Sequence, residues 1–219
     1  MQREEEKHMP EKKAAIPMTV VRRLPRYYRF FCELKEEGVA RISSRGLSER
    51  MGLTASQIRQ DLNYFGEFGQ QGYGYPVERL CDELRTILGF RTVHRTILIG
   101  AGNLGHAVAN HMDFDGKGLP LVGIFDDAPQ LVGTQMRGIT VQATTELDAF
   151  CEREKPTVAV LCIPKEAAVT LSERLIALGI RAFWNFSHYD ISVAHPEIAV
   201  ENVHLGDSLM TLSYLLEHP

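Results

Sequence analysis

The chain has 219 residues, 44% of them hydrophobic, four cysteines and a net charge of −4, which suits one large domain or two small ones with real apolar cores. No run of eighteen or more apolar residues occurs, which excludes a membrane-spanning helix, and the charged stretch from Met1 to Lys13 has no apolar signal core, so export is not expected. The net charge hides an asymmetry: residues 18–60 hold nine Lys or Arg against four acids, and residues 91–219 hold nine against fifteen, the pattern of a chain with one end that meets a polyanion, or of a solvated helical surface.

Residues 1–17 read as a disordered tail, with Glu and Lys clusters and almost no apolar periodicity. Pro25 then opens a helix whose buried stripe is Tyr27, Tyr28, Phe30, Phe31 and Leu34, and Gly38 stops it. Ser43-Ser44 caps a short second helix carrying Leu47 and Met51, which ends at Gly52. Thr54-x-x-Gln57 starts a third helix that runs through Phe65. Short helix, glycine turn and capped helix is the spacing of a helix-turn-helix. On the third helix Ile58, Leu62 and Phe65 recur on the core face, while Gln57, Arg59, Gln60 and Asn63 project outward. Arg, Gln and Asn are the side chains that pair with guanine and adenine edges in a major groove. Glycines and aromatics alternate from Gly66 to Pro76, as in a small β-hairpin forming the wing of a winged helix. The other reading is a three-helix packing module with a glycine-rich loop. A helix from Val77 to Leu88, ended by Gly89, links this module to the rest of the chain.

The second half is organised around Arg95-Thr-Ile-Leu-Ile-Gly-Ala-Gly-Asn-Leu-Gly-His106, where an apolar strand breaks into G-x-G-x-x-G and then a helix. Gly100 serves the tight turn, Gly102 lets a pyrophosphate approach the backbone, and Gly105 lets helix and strand pack closely. The phosphates would lie on the free N–H groups of the helix N-terminus. A second apolar run, Leu119 to Phe125, ends in Asp126, where a carboxylate accepts from adenine ribose hydroxyls and repels a 2′-phosphate, favouring NAD(H) over NADP(H). The alternative is a Rossmann-like turn that binds another nucleotide or none. Strand-like runs at Thr157–Ile163, Arg181–Phe186 and Ile198–Val203, with an amphipathic helix from Lys165 to Leu178, imply a mainly parallel sheet. Pro164 and Asn185 fall on the carboxyl edge with the glycine loop. The last helix, Leu205–Leu216, carries Leu205, Leu209, Leu212, Leu215 and Leu216 and needs a packing partner, a second subunit among the choices.

An NAD-dependent oxidoreductase is the rival reading, and it lacks parts. No H-E-x-x-H, Cys/His metal spacing or G-x-S-x-G is present, the histidines are scattered, and about 120 residues after the glycine loop only complete the sheet. No metal site is expected. Cys32, Cys81, Cys151 and Cys162 stand far apart without a C-x-x-C pair and read as reduced thiols.

Several stretches resemble the Rex redox-sensing transcriptional repressors: Arg23-Leu-Pro-Arg-Tyr-Tyr-Arg29, Arg41-Ile-Ser-Ser44, Gln57-Ile-Arg-Gln-Asp-Leu-Asn-Tyr-Phe-Gly-Glu-Phe-Gly69, Gly72-Tyr-Gly-Tyr75, Gly100-Ala-Gly-Asn-Leu-Gly105, Asn185-Phe186, Glu201-Asn-Val203 and Leu212-Ser-Tyr-Leu-Leu216. The similarity runs from about Val20 to Leu216 in the family order. It implies an α/β protein with an N-terminal winged helix-turn-helix domain and a C-terminal Rossmann-like NAD(H)-binding domain whose C-terminal helix is swapped between subunits. The corresponding segments are a tail (1–17), a DNA-binding domain (18–90), a dinucleotide-binding domain (91–204) and a dimerisation helix (205–219). The resemblance further implies a cytoplasmic homodimer that reads a roughly palindromic operator and lets go when NADH binds, with the dinucleotide as effector rather than cofactor of catalysis. Carried over by motif, the dinucleotide site is Gly100, Ala101, Gly102, Asn103, Leu104, Gly105, Asp126 and Pro164. The DNA-facing set is Arg22, Arg45, Gln57, Arg59, Gln60, Asn63, Tyr64, Gly72 and Tyr73. Arg29, His111 and His204 fall where the family runs its NADH-linked switch.

The chain departs from the family's pattern at several positions. Gln60 and Gln70-Gln71 stand where basic residues are common, which should weaken phosphate contacts and flatten the salt dependence. His204 stands where an aspartate is frequent and His111 in the region of a tyrosine. Two histidines would make the switch pH-sensitive near neutrality, unless both are tolerated in a switch run by domain rotation.

Overall fold

In the computed structural model, which describes residues 16–66 and 73–218, the helices of the first half begin and end where their capping chemistry dictates. A single turn, α1 (Met18–Val21), precedes α2 (Leu24–Glu36), which carries Pro25 in its first turn. Then come β1 (Arg41–Ile42), α3 (Ser44–Met51), α4 (Ala55–Asn63), β2 (Tyr75–Pro76) and α5 (Val77–Ile87). Ser43 Oγ accepts from the Gly46 N–H at 3.0 Å and Thr54 Oγ1 from the Gln57 N–H at 3.1 Å, so α3 and α4 each start on a hydroxyl cap. Helix α4 ends at Asn63 rather than Phe65, because the N–H groups of Tyr64, Phe65 and Gly66 bond three residues back and tighten the last turn. The core of this unit joins Leu24, Tyr27, Phe31 and Leu34 of α2 to Leu47 and Met51 of α3, Ile58 and Leu62 of α4, and Leu80 and Leu84 of α5.

Strand β2 pairs antiparallel with β1, Arg41 opposite Pro76 and Ile42 opposite Tyr75. Within the expected hairpin stretch, β2 thus pairs with a strand ahead of α3. Arg41 secures the junction, its Nε donating to the Tyr73 carbonyl at 2.8 Å. The rest of the expected wing, with Gly72, Gln70 and Gln71, lies outside the described residues, as does residues 1–15 of the expected tail.

The chain divides into two compact units between Leu88 and Gly89. The second unit runs β3 (Thr96–Ile99), α6 (Asn103–His111), β4 (Leu121–Phe125), β5 (Gln135–Met136), β6 (Ile139–Gln142), α7 (Leu147–Glu154), β7 (Val158–Leu161), α8 (Lys165–Ala177), β8 (Ala182–Asn185), α9 (Ile191–Ala194), β9 (Ala199–Asn202) and α10 (Leu205–Glu217). The sheet order is β5-β6-β4-β3-β7-β8-β9. All neighbours are parallel except β5 against β6. Successive side chains of a strand face opposite sides, so Ile97 and Ile99 join Leu147, Phe150, Ala168 and Leu175 in one core, and Leu98 joins Val108, Ala109 and Ile124 in the other. The chain winds outward from β3 to β6, then returns to β7 and winds the other way. The reversal falls between β3 and β7, where open α/β sheets bind ligands.

Candidate functional site

Each unit presents one candidate site. In the first, the core packing of Ile58 and Leu62 turns Arg59, Gln60 and Asn63 of α4 to solvent, with Tyr64 at the helix end, while Gln57 is half-buried. Arg59 Nη1 donates to Ser44 Oγ at 3.0 Å, which ties the outer face of α4 to the start of α3. Arg45 lies exposed on α3 with Glu49 one turn on (3.2 Å), Arg22 is exposed at the end of α1, and Tyr73 is exposed beside the β1–β2 ribbon.

The inner face of α4 holds a group whose role the sequence reading did not identify. Asp61 is buried, and its carboxylate accepts from Arg23 Nε at 2.8 Å, from Arg23 Nη2 at 2.7 Å and from the Tyr27 hydroxyl at 2.9 Å. A buried carboxylate persists only when paired and hydrogen-bonded. Burial, with the Asp61 hydrogen bond next, pushes the Tyr27 hydroxyl well above its ordinary range, so it remains a donor. This clamp fixes the outer face of α4 from below, and it takes Arg23 out of the pool of basic residues free to meet a polyanion. Arg26 is likewise engaged, donating to the Met51 carbonyl at the end of α3. The available signal was an acid at position 61 on the stripe of Ile58, Leu62 and Phe65.

In the second unit the parallel register sets Ile99, Leu161, Asn185 and Asn202 in one row, so the loops after β3, β7, β8 and β9 share the carboxyl edge. Gly100 has φ +97°, and a Cβ there would lie 2.4 Å from the Cys162 carbonyl oxygen. At Gly105 a Cβ would lie 1.8 Å from the Gly100 oxygen. At Gly102, by contrast, a Cβ would meet nothing within 4 Å, and no side chain caps α6 there. The two flanking glycines thus close the turn against β7 and α6, and the middle one keeps open the space in front of the helix N-terminus. A pyrophosphate fits such a site through backbone N–H groups. Asn103 opens α6 exposed, Leu104 is half-buried, and Ala101 is buried.

Asp126 follows β4, its Oδ2 accepting the Ala101 N–H at 2.7 Å and its Oδ1 the Ala128 N–H at 2.8 Å. The carboxylate therefore braces the glycine turn, and each oxygen keeps a lone pair for a further donor. Pro164 is the N-cap of α8, exposed in the loop after β7 whose Cys162 abuts Gly100.

The three switch candidates are each at an element's surface. Arg29 is exposed on α2, His111 is exposed in the last turn of α6, and His204 is the half-buried N-cap of α10. The His204 ring stacks on that of His188, with centroids 5.5 Å apart and planes 7° from parallel, and its Nδ1 is buried without a hydrogen-bond partner. The His188 contact had no sequence signal, since the two loops meet only through the β8–β9 pairing. Below it, buried Asn185 accepts from Ser187 Oγ at 2.7 Å and donates to Asn202 Oδ1 at 2.8 Å.

A helix-turn-helix unit and a Rossmann-like unit with an open glycine turn together define a DNA-binding regulator with a nucleotide-binding domain. The family model described as "Putative DNA-binding protein N-terminus" matches residues 15–63, and that described as "CoA binding domain" matches residues 92–189. The redox-sensing transcriptional repressor Rex of Thermoanaerobacter sp. (strain X514) is 52% identical over 205 residues, 94% of this chain and 91% of the relative. That of Clostridium novyi (strain NT) is 48% identical over 94% of this chain and 98% of the relative. Among solved structures, RSP in complex with beta-NAD+ and operator DNA superposes with a TM-score of 0.86 at 51% identity, covering 93% of each chain. RSP in complex with beta-NADH gives 0.84 at 48% identity, covering 93% of this chain and 95% of that one. The chain belongs to the Rex family of redox-sensing transcriptional repressors.

Proposed function

We infer that the chain is a transcriptional repressor that holds operator DNA while NADH is scarce and releases it as NADH binds, so that its DNA occupancy follows the NADH/NAD+ ratio. The observation that carries this reading is the glycine turn open only at Gly102 and braced by Asp126, in a chain that also exposes Arg59, Gln60 and Asn63 along one helix edge. RSP, about half identical over nearly the full length, takes both dinucleotides and operator DNA. The chain is not an enzyme; the dinucleotide is an effector. In this reading the N–H groups at the start of α6 hold the pyrophosphate, Asp126 accepts from the adenosine ribose, and Pro164 lines the half beyond the β3–β7 reversal. Arg59 reads a base edge, and Arg22, Arg45 and Tyr73 support the phosphates.

Helix α10 has no buried residue, its leucines being exposed from 53% at Leu212 to 73% at Leu216. A face this apolar needs cover, and a second copy of the chain supplies it in a two-fold dimer, which matches a palindromic operator. Such a dimer works in the cytoplasm, where both operator DNA and the NADH pool are found.

The test is operator binding by fluorescence anisotropy, titrated separately with NADH, NAD+, NADPH and coenzyme A at fixed salt and pH. Release by NADH alone is expected, and Gly102→Val should abolish it while leaving DNA affinity unchanged. Coupling is reciprocal, so saturating operator must weaken NADH binding by the same factor. Normal NADH release by Gly102→Val would overturn the placement of the dinucleotide.

A further inference from the structure

The core of the DNA-binding unit contains two thiols that sequence spacing keeps apart. Cys32 is half-buried on α2 and Cys81 is buried on α5, 49 residues later, and their sulfurs stand 3.0 Å from one another. Both cysteines are free, and neither takes part in the DNA-facing edge or the dinucleotide crevice. A disulfide needs its sulfurs at about 2.05 Å, so the two sulfurs, already facing each other between α2 and α5, would close by roughly 1 Å. Cys151 and Cys162, the other two cysteines, lie in the second unit.

We propose that Cys32 and Cys81 form a peroxide-sensitive thiol pair whose oxidation staples α2 to α5 and raises the thermal stability of the DNA-binding unit. The co-reactant is a hydroperoxide. The Cys32 sulfur, the more accessible of the two, attacks the terminal peroxide oxygen as thiolate; the S–O bond forms, the O–O bond breaks, and the leaving oxygen departs protonated, as water when the oxidant is hydrogen peroxide. The Cys81 sulfur then attacks the sulfenic sulfur; the S–S bond forms, the S–O bond breaks, and a second water leaves. The thiols lose two electrons and two protons, and the peroxide takes them up.

Two physical features set the behaviour of the pair. Burial, with Cys32 alongside, pushes the Cys81 thiol up to about 12, so Cys81 thiolate is scarce at neutral pH and the disulfide-forming second step is slow. Because the sulfurs already face one another, the link preserves the arrangement of α2, and α2 carries the Arg23–Tyr27 clamp on Asp61 of α4. The closed loop spans β1, α3, α4 and β2, so stapling restricts the unfolded chain over the whole proposed DNA-reading element. The oxidised protein should keep its operator affinity within twofold and unfold at a higher temperature.

The full-length chain would be treated with hydrogen peroxide under native conditions and its free thiols alkylated. Peptide mapping by mass spectrometry would then be run with and without reductant. A single reductant-sensitive link between the peptides of Cys32 and Cys81 within one chain is expected, with Cys151 and Cys162 still alkylated. Unlinked Cys32 and Cys81, links to Cys151 or Cys162, or a link between two chains would each overturn the proposal. Mapping uses the unsubstituted protein and makes no use of DNA, so failure of the repressor reading would leave it intact. Cys32→Ser should abolish both the link and the rise in melting temperature, whereas the Cys151→Ser/Cys162→Ser protein should retain them. A melting temperature unmoved by verified cross-linking would overturn the stapling.

Discussion

The two units build their sites from opposite materials. The proposed DNA-facing edge of α4 is made of side chains, Arg59, Gln60 and Asn63, held in place from beneath by a hydrophobic core and the Asp61 clamp. The proposed dinucleotide crevice is made of backbone, N–H groups at a helix start approached through the open space at Gly102. The first kind of site is lost by truncating a side chain. The second is lost by adding one. A protein that reads DNA and a metabolite therefore carries two mutational sensitivities of opposite sign, and each can be removed without the other.

The largest expected break is Gly105→Val. Its Cβ would collide with the Gly100 carbonyl, so the second unit should lose about 4 kcal/mol or more, seen as a lower melting temperature for that unit and no NADH response. Gly102→Val, in open space, should leave the melting temperature near that of the parent, and the contrast separates fold from site. Next comes Asp61→Ala, which leaves Arg23 and the buried Tyr27 hydroxyl without their acceptor. Breaking such a pair costs about 3 kcal/mol, read by denaturation of the first unit, with operator affinity falling alongside. Arg59→Ala is smaller and mainly functional. It should cost about 1–3 kcal/mol of operator binding and relax preference at one base pair, with thermal unfolding lowered only slightly by loss of the exposed hydrogen bond to Ser44.

The smallest effect concerns neither site. His195 pairs with Glu173 of α8 at 2.8 Å, and that hydrogen bond, with the Glu173 charge, raises its pKa above the usual 6.5. A raised folded pKa contributes stability that is full below 6.5 and is lost as pH rises through the folded value. Glu173→Gln should therefore lower the melting temperature slightly at pH 5.5 and leave it unchanged at about pH 8.5; equal curves at both would remove the interaction.

Local chemistry was legible in the sequence because it acts over a few residues. The hydroxyl caps Ser43 and Thr54, the start of α2 at Pro25, the strand–glycine–helix of β3 and α6 and the carboxylate after β4 all stand where the residues placed them. The stretch from residue 127 to 156 yields no elements in the sequence, since β5 and β6 are two and four residues long, too short for a period-2 pattern to emerge, and α7 has only eight residues. The end of α4 was set by three-residue hydrogen bonds that no residue type announces.

What the sequence determined by itself is the inventory: two units with different charge, a helix-turn-helix, a strand–glycine–helix turn and a terminal helix too apolar to stand alone. Tertiary structure decided which distant groups meet. Pairing of β2 with β1 ahead of α3, the Asp61 clamp, the stacking of His188 on His204 and the approach of Cys32 to Cys81 each join residues far apart in sequence. Such meetings depend on which helix faces and strand neighbours the whole core brings together. Periodicity can say that a face is buried, but not against what.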